Sequence, residues 1–135
     1  YYLARQLHPG HNETERRLMA KEQNITSAEN WFKTEDKQII WYITDSAGSP
    51  QTMSGWTVAF NLYSAKTSAN ALVTKSATIS NGDGTDDRAV VTVADTDTET
   101  LAAGTYVYEL VRTDAGSEQV LAYGTALLRT TKEQV

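Results

Sequence analysis

Apolar and polar residues alternate with a period of two along most of the chain after Asp36. The clearest example is the stretch GWTVAFNLYS, in which Trp56, Val58, Phe60 and Leu62 fall at every second position. Successive side chains of a β-strand point to opposite faces of a sheet. We therefore predict a strand here, with these four side chains in the core.

The same alternation recurs in several further short segments, and turn-forming residues separate these segments. The other predicted strands are Lys37–Asp45, 72–80, 87–95, 105–113 and 119–130. The sequence NGDG at 81–84 is a strong turn signal between two of them. Many short strands with almost no helical period predict an all-β sandwich.

The stretch DTDTETLAAGTYVYEL joins two of the predicted strands. In immunoglobulin-type sandwiches, a Tyr after a Gly-containing corner donates a hydrogen bond to upstream backbone. We predict such a structural corner at Leu101, Gly104, Tyr106 and Tyr108. Tyr108 takes the place of the second Cys of antibody domains, so packing alone would replace their disulfide. The acidic run at its start is predicted to be a solvated link whose Asp and Thr side chains bond to local backbone.

The first 30 residues have a different character. Asn12 and Glu15 have the spacing of a capping box, and good helix formers follow up to Gln23. The apolar residues Leu18 and Met19 give this short helix no stripe wide enough to dock on its own core, so we predict that they contact a partner chain. We therefore divide the chain into an arm, residues 1–30, that docks on a neighbouring subunit and a sandwich domain, residues 31–135.

Composition limits the function classes. The chain of 135 residues is the size of one domain and has a net charge of −5, all of it outside the charge-balanced arm. Nucleic acids and anionic lipids are bound through Lys and Arg clusters, so we expect neither nucleic acid nor membrane as a partner. The absence of Cys excludes disulfides and thiolate chemistry.

Three segments in order, ITDSAGSPQTMSGWTVAFNLYS, NGDGT and VADTDTETLAAGTYVYELVRTDAGSEQVLAYGTALL, resemble the small immunoglobulin-like β-sandwich proteins of tailed-bacteriophage virions. The layout is similar to that of the N-terminal domain of siphophage upper baseplate proteins. The matching residues are Asp45, Gly48, Pro50, Ser54, Gly55, Trp56, Thr57, Val58, Thr98, Leu101, Gly104, Tyr106, Tyr108, Glu109, Leu110 and Gly124. The resemblance covers about residues 38–129 and contains no catalytic signature.

Two kinds of site chemistry were weighed against this structural interpretation. Acidic residues crowd together at Asp83, Asp86, Asp87, Asp95, Asp97 and Glu99. An EF-hand loop starting at Asn81 fails because its sixth and twelfth positions are not Gly and Glu, which leaves a looser calcium site or plain solvated loops. A carboxylate pair for glycoside chemistry also stays open, since sequence gives no separation. His8 and His11 lie in the arm without a third ligand nearby, and we expect no cofactor, no metal and no enzymatic activity.

Surface recognition is the third hypothesis. It rests on the aromatic residues Trp31, Trp41, Trp56, Tyr42, Tyr63 and Tyr123, which could stack on sugars or anchor a protein. Trp31 and Phe32 lie between the arm and the first strand, so they are candidates either for an interface or for capping the end of the sandwich.

These observations lead to one expectation with an alternative. We expect an immunoglobulin-like antiparallel sandwich of about seven strands, preceded by an arm containing a short helix. The resemblance implies a non-enzymatic structural protein located in the virion and made in the bacterial cytoplasm. Its implied partners are other virion proteins and further copies of itself, with no small-molecule substrate. The alternative is an adhesin-type module that binds a carbohydrate or a receptor.

Overall fold

A computed structural model describes residues 2–6, 21–25 and 31–130 of the chain. Within these residues, nine β-strands and one short helix are present. The strands are β1 Tyr2–Gln6, β2 Lys21–Glu22, β3 Lys37–Asp45, β4 Val58–Tyr63, β5 Val73–Ser76, β6 Thr78–Ser80, β7 Arg88–Val93, β8 Gly104–Arg112 and β9 Gln119–Leu128, and helix α1 is Asp95–Thr98. The all-β prediction is confirmed.

The strands form two sheets with one core. The four-stranded sheet has the order β1-β3-β7-β6, and the five-stranded sheet has the order β2-β9-β8-β4-β5. Neighbouring strands are antiparallel except β2, which runs parallel to β9. Consecutive strands often lie in different sheets, as with β3 and β4, β5 and β6, and β7 and β8.

The core follows the predicted alternation closely. Strand β3 has the predicted bounds and buries every second residue, including Trp41. Strand β4 buries Val58, Phe60 and Leu62, whereas Trp56, predicted as the fourth core residue, precedes the strand and is half-buried against the core. The ring centroid of Phe60 lies 6.0 Å from that of Trp41 and 5.7 Å from that of Tyr108, so aromatic side chains of both sheets meet in the middle of the molecule.

The predicted single strand at 72–80 is two strands in different sheets. Strand β5 pairs with β4 in the five-stranded sheet, whereas β6 pairs with β7 in the four-stranded sheet. The chain crosses between them at Ala77, whose N–H donates to the carbonyl oxygen of Val58 at 2.8 Å. This crossing closes one side of the sandwich with two short edge strands.

The predicted turn between β6 and β7 is held by one buried carboxylate. Oδ1 of Asp87 accepts the N–H groups of Gly82 and Asp83, each at 2.9 Å. A Cβ atom on Gly82 would lie 2.6 Å from the ring of Tyr42, so this position tolerates only glycine without movement of its neighbours. The turn chemistry of NGDG and the carboxylate that follows it thus form one unit.

The link between β7 and β8 exposes Asp95, Thr96 and Glu99 as predicted, but it is more ordered than a plain solvated connection. Residues Asp95–Thr98 form one turn of helix, and the carboxylate of Asp97 accepts the N–H of Ala94 at 2.8 Å. Thr98 is buried, and its hydroxyl donates to the carbonyl oxygen of Lys33 at 2.6 Å. The local backbone bonding was predicted, but the helical turn and its anchor at Thr98 were not.

The corner after α1 brings two tyrosines to different places. The hydroxyl of Tyr106 donates to the carbonyl oxygen of Ala102, four residues upstream, at 2.6 Å. Tyr108 is fully buried, and its hydroxyl donates to the carbonyl oxygen of Gln23. The second contact ties a central strand to the N-terminal part of the chain.

Parts of the predicted arm pair with the sandwich itself. Strand β1 lies antiparallel to β3, and β2 lies parallel to β9. The pairing continues beyond β2, because the N–H of Ile25 donates to the carbonyl oxygen of Thr125 and the N–H of Leu127 donates to that of Ile25, each at 2.8 Å. The side chain of Ile25 is 1% exposed and belongs to the core. Residues on both sides of the predicted boundary at 30 and 31 thus share one pair of sheets.

The predicted helix of the arm falls largely outside the described residues. Residues 12–20, including Leu18 and Met19, are among those that the structure does not describe. At the predicted C-terminal end, Lys21–Glu22 form a strand instead of a helical turn. The helix prediction is wrong for these two residues, because pairing with β9 overrides their helix propensity.

Candidate functional site

A groove lies on the outer face of the five-stranded sheet, opposite the core. Its volume is about 710 Å³, and its floor is formed by β8 and β9. Tyr63 at the end of β4 and residues of the following connection, including Lys66 and Ser68, form one wall. The groove therefore combines a rigid sheet with a loop, which is a common arrangement for binding sites.

The register of the paired strands arranges the residues of the groove floor in rows across the sheet. Tyr63, Val107 and Thr125 are directly opposite one another on β4, β8 and β9. In the next row, Glu109 is paired with Tyr123. Side chains of alternate residues share a face, so these five residues stand on the same outer surface.

Glu109 is held in the middle of this surface by a tyrosine. The hydroxyl of Tyr63 donates to Oε2 of Glu109 at 3.0 Å. Partial burial and the interaction with this carboxylate raise the pKa of Tyr63 above its usual value. The hydroxyl of Tyr63 therefore stays protonated at neutral pH and keeps donating, which leaves Oε1 of Glu109 and the remaining lone pairs for other donors.

Apolar side chains of the groove are open to solvent. Tyr123 is 44% exposed and Val120 is 38% exposed, and they are two of the three large hydrophobic side chains classed as exposed in the described part of the chain. The third, Leu72, is not among the groove-lining residues. Exposed apolar side chains gathered at one concave place indicate an interaction site more strongly than scattered ones.

The charges of the groove balance. Of the described residues that line it, Glu109 is the one acid and Lys66 is the one base. The chain as a whole carries a net charge of −5. The groove is thus nearly neutral in a protein that is otherwise acidic.

The structure separates the six aromatic residues that the sequence proposed for surface recognition. Tyr63 and Tyr123 line the groove. Trp31 and Trp41 are fully buried, whereas Trp56 is half-buried with the guanidinium of Arg112 lying 4.1 Å from its ring centroid. The remaining residue, Tyr42, packs against the turn that precedes β7.

The two residues proposed for an interface at the start of the sandwich lie in different environments. Trp31 has no exposed surface and meets Phe60 edge to face, with ring centroids 6.4 Å apart, so its side chain belongs to the core and is not available to a partner. Phe32 is half-buried, and the guanidinium of Arg129 lies 5.1 Å from its ring centroid. Trp31 is therefore a core residue, and an interface role at this place stays a prediction for Phe32 alone.

Two of the six acidic residues considered for a calcium site, Asp87 and Asp97, hold local structure. Asp87 holds the turn before β7, and Asp97 bonds to Ala94 and forms an ion pair with Lys75 at 3.0 Å. Among residues 2–6, 21–25 and 31–130, no group of three or more His, Asp or Glu side chains is placed to hold a metal ion. His8 and His11 lie outside these residues.

Comparisons with known proteins identify no relative. A scan against protein-family models finds no match, and a search of curated proteins finds no similar sequence. In the described part of the chain, no helix is both long and apolar enough to span a membrane. The class of protein is therefore defined by the fold alone, an all-β sandwich of two antiparallel sheets.

Sequence reasoning found two residues of the groove and missed the others. Tyr63 and Tyr123 were noted as aromatic residues, but Glu109 was assigned only to the pattern that resembles phage proteins. Alternation along β8 places Glu109 on the face opposite the buried Tyr108. Strands β8 and β9 are neighbours in sequence, but Tyr63 joins their surface through the pairing of β4 with β8, which is distant in the chain, and no local pattern carries that register.

Proposed function

We propose that the chain is an immunoglobulin-like sandwich that serves as a non-enzymatic structural protein in the virion of a tailed bacteriophage. The observation that carries the immunoglobulin-like part of the proposal is the order of the strands. In immunoglobulin folds one sheet has the order A-B-E-D and the other contains G-F-C, extended in variable-type domains by C′. The orders β1-β3-β7-β6 and β9-β8-β4-β5 correspond to A-B-E-D and G-F-C-C′.

The corner before β8 supports the same assignment. A tyrosine near the start of strand F that donates to backbone a few residues upstream is a hallmark of these folds. Tyr106 stands at this place in β8 and donates to Ala102. Where antibody domains have a disulfide between strands B and F, Trp41 of β3 faces Tyr108 of β8, with ring centroids 5.8 Å apart. Aromatic packing here takes the place of a covalent bridge.

The location in a virion rests on the resemblance of residues 38–129 to phage sandwich proteins, for which the strand order adds support. In this proposal, the partners are other virion proteins and further copies of the chain. Because β1, β2 and Ile25 pair with the chain's own sheets, they are occupied in holding the fold. We therefore assign the contacts with neighbours to the sandwich surface; the predicted contacts of the arm through Leu18 and Met19 fall outside the described residues.

Particle composition tests the proposal directly. Virions of the phage whose genome encodes the chain are purified by two density gradients and analysed by quantitative mass spectrometry. We expect the chain in a fixed ratio to the other virion proteins, and labelling by antibodies at one defined place on the particle. An abundant phage replication protein is the control for carry-over from the lysate. A chain that is made during infection but is lost from the particles together with that control would refute the virion assignment.

The proposed association with further copies has its own test. Light scattering on the purified full chain should give a defined multiple of the 14.9 kDa protomer mass. A mass of one protomer up to high concentration would contradict self-association in solution and restrict the proposal to contacts with other virion proteins.

A further inference from the structure

We propose that the groove on the five-stranded sheet binds a neutral saccharide, with Tyr123 stacking on a sugar face and Glu109 accepting hydrogen bonds from sugar hydroxyls. This inference goes beyond assembly into a particle, because it gives the surface of the sandwich a ligand outside the virion. It also does not depend on the virion assignment, since the groove is a property of the chain itself.

The size and setting of the groove suit a small ligand. Ligand pockets in proteins have volumes of roughly 300–1,000 Å³ and combine apolar walls with a few fixed polar groups. The groove has a volume of about 710 Å³, and Val107, Val120, Tyr63 and Tyr123 line it beside the carboxylate of Glu109. Its floor is made of paired strands, so little ordering of the backbone is needed on binding.

The two tyrosines flank the carboxylate across the sheet. Tyr63 and Tyr123 stand on β4 and β9, the two neighbours of the strand that carries Glu109. Tyr63 is opposite Val107 and Tyr123 is opposite Glu109, so two strand spacings and an offset of two residues along the strands put their backbones roughly 12 Å apart. The apolar C–H faces of a pyranose ring fit against an exposed aromatic ring of this kind, which presents a flat apolar face and a polar hydroxyl.

The polar groups of the groove match the hydroxyl groups of a sugar. The carboxylate of Glu109 accepts hydrogen bonds, and hydrogen bonds to a charged acceptor are the stronger ones. The hydroxyls of Ser68 and Thr125 can both donate and accept, and the ammonium of Lys66 donates. A ligand with many hydroxyl groups, each able to donate and to accept hydrogen bonds, complements these side chains.

The balance of charge selects among ligand classes. An anion would meet Glu109 and the acidic field of the whole chain, whereas a cation would be attracted by these charges but would meet the ammonium of Lys66 inside the groove. A purely apolar ligand would remove water from Glu109 without replacing its hydrogen bonds, which is costly. A neutral molecule with apolar faces and many hydroxyls avoids each of these costs.

The test uses the full chain, biotinylated and displayed as a tetramer on streptavidin so that weak sites bind together. It is applied to an array of neutral bacterial and animal oligosaccharides. We expect selective binding to a related set of glycans, followed by a measurable dissociation constant for the free oligosaccharide in calorimetry. Binding of no neutral glycan, or equal retention of all glycans, would overturn the proposal.

Three variants locate the site. Tyr123→Ala should weaken binding by about tenfold, whereas Tyr123→Phe should keep most of it because the ring remains. Glu109→Gln keeps the shape of the side chain but removes the charge, and it should weaken binding roughly tenfold or more. The matched control is Leu72→Ala, which changes an equally exposed apolar residue outside the groove and should leave affinity unchanged. Melting temperatures of all variants show that they are folded.

The outcomes separate this inference from the proposed function. If glycan binding is found but survives both Tyr123→Ala and Glu109→Gln in folded protein, the ligand binds elsewhere and the groove assignment is wrong. If the chain binds no neutral glycan and Tyr123→Ala instead prevents its incorporation into particles, the groove is a protein contact and the saccharide proposal fails while the virion assignment stands.

Discussion

Ile25 offers the most direct test of how the N-terminal part of the chain relates to the sandwich. Its side chain is 1% exposed, and its backbone N–H and carbonyl both bond to β9. A flexible arm that docks only on another subunit would not stabilise an isolated chain. Replacing Ile25 by Ala distinguishes the two arrangements because it removes buried methyl groups and leaves the backbone bonds in place.

The expected cost follows from the burial. Truncation of a fully buried Ile to Ala costs about 2–5 kcal/mol, because transfer energy is lost and a cavity remains. A natural domain has only about 5–15 kcal/mol of net stability. For a chain of this size, each kcal/mol shifts the melting temperature by roughly 4 °C, so we expect a decrease of about 8–20 °C.

Urea unfolding of the full chain, followed by tryptophan fluorescence, measures the change. The buried Trp31 and Trp41 report loss of the core. We expect Ile25→Ala to lower the midpoint with an unchanged slope, which indicates lower stability without a change in the surface exposed on unfolding. The exposed Leu72→Ala is the control and should stay within about 0.5 kcal/mol of the parent. An equally small effect of Ile25→Ala would refute the packing of this segment on the sandwich.

Three further predictions concern stability. Gly124→Ala places a Cβ atom 2.7 Å from the carbonyl oxygen of Gln23, so we expect a loss of about 1–3 kcal/mol in urea unfolding and faster hydrogen exchange along the β2–β9 pairing. Tyr106→Phe removes the bond to Ala102 and should cost about 1 kcal/mol, measured in the same assay; no change would show that the corner adds no stability. Hydrogen bonds from backbone and from Lys75 lower the pKa of Asp97 below its ordinary value of 3.8. Its stabilisation is therefore present above that pH and is lost as the pH falls through the folded pKa. We expect Asp97→Asn to flatten the decrease in unfolding free energy below about pH 4, and an unchanged slope would contradict the role of this carboxylate.

The alternation of apolar and polar residues was sufficient to predict strands that have one face in the core. The bounds of β3 and the buried face of β4 follow from alternation, since each strand has one face in the core. The break at Ala77 could not be predicted in this way. Residues 73–80 keep alternating as the chain passes from one sheet to the other, because the inward face of both sheets is the same core. Alternation reports which face is buried and does not report which strand is the neighbour.

The N-terminal strands and the groove depend on contacts that are distant in sequence. Lys21–Glu22 consist of residues with good helix propensity, and their strand conformation comes from pairing with β9 about one hundred positions later in the chain. The groove likewise needs the registers of β4, β8 and β9 to bring Tyr63, Glu109 and Tyr123 to one surface. The aromatic residues indicated a recognition surface, but its position depends on the pairing of the strands in the sheet.

The parallel pairing along β9 has a mechanical consequence. Bonds between the two segments run from Gln23 with Tyr123 to Lys33 with Arg129. A force that pulls the Lys21 end of one segment away from the Arg129 end of the other acts along the strands, perpendicular to the hydrogen bonds. The bonds then share the load and must break together, whereas strands pulled apart at one shared end open one bond at a time. If two neighbouring molecules held the chain at the Lys21 end and the Arg129 end, the chain would resist extension, because several weak hydrogen bonds would have to break at once.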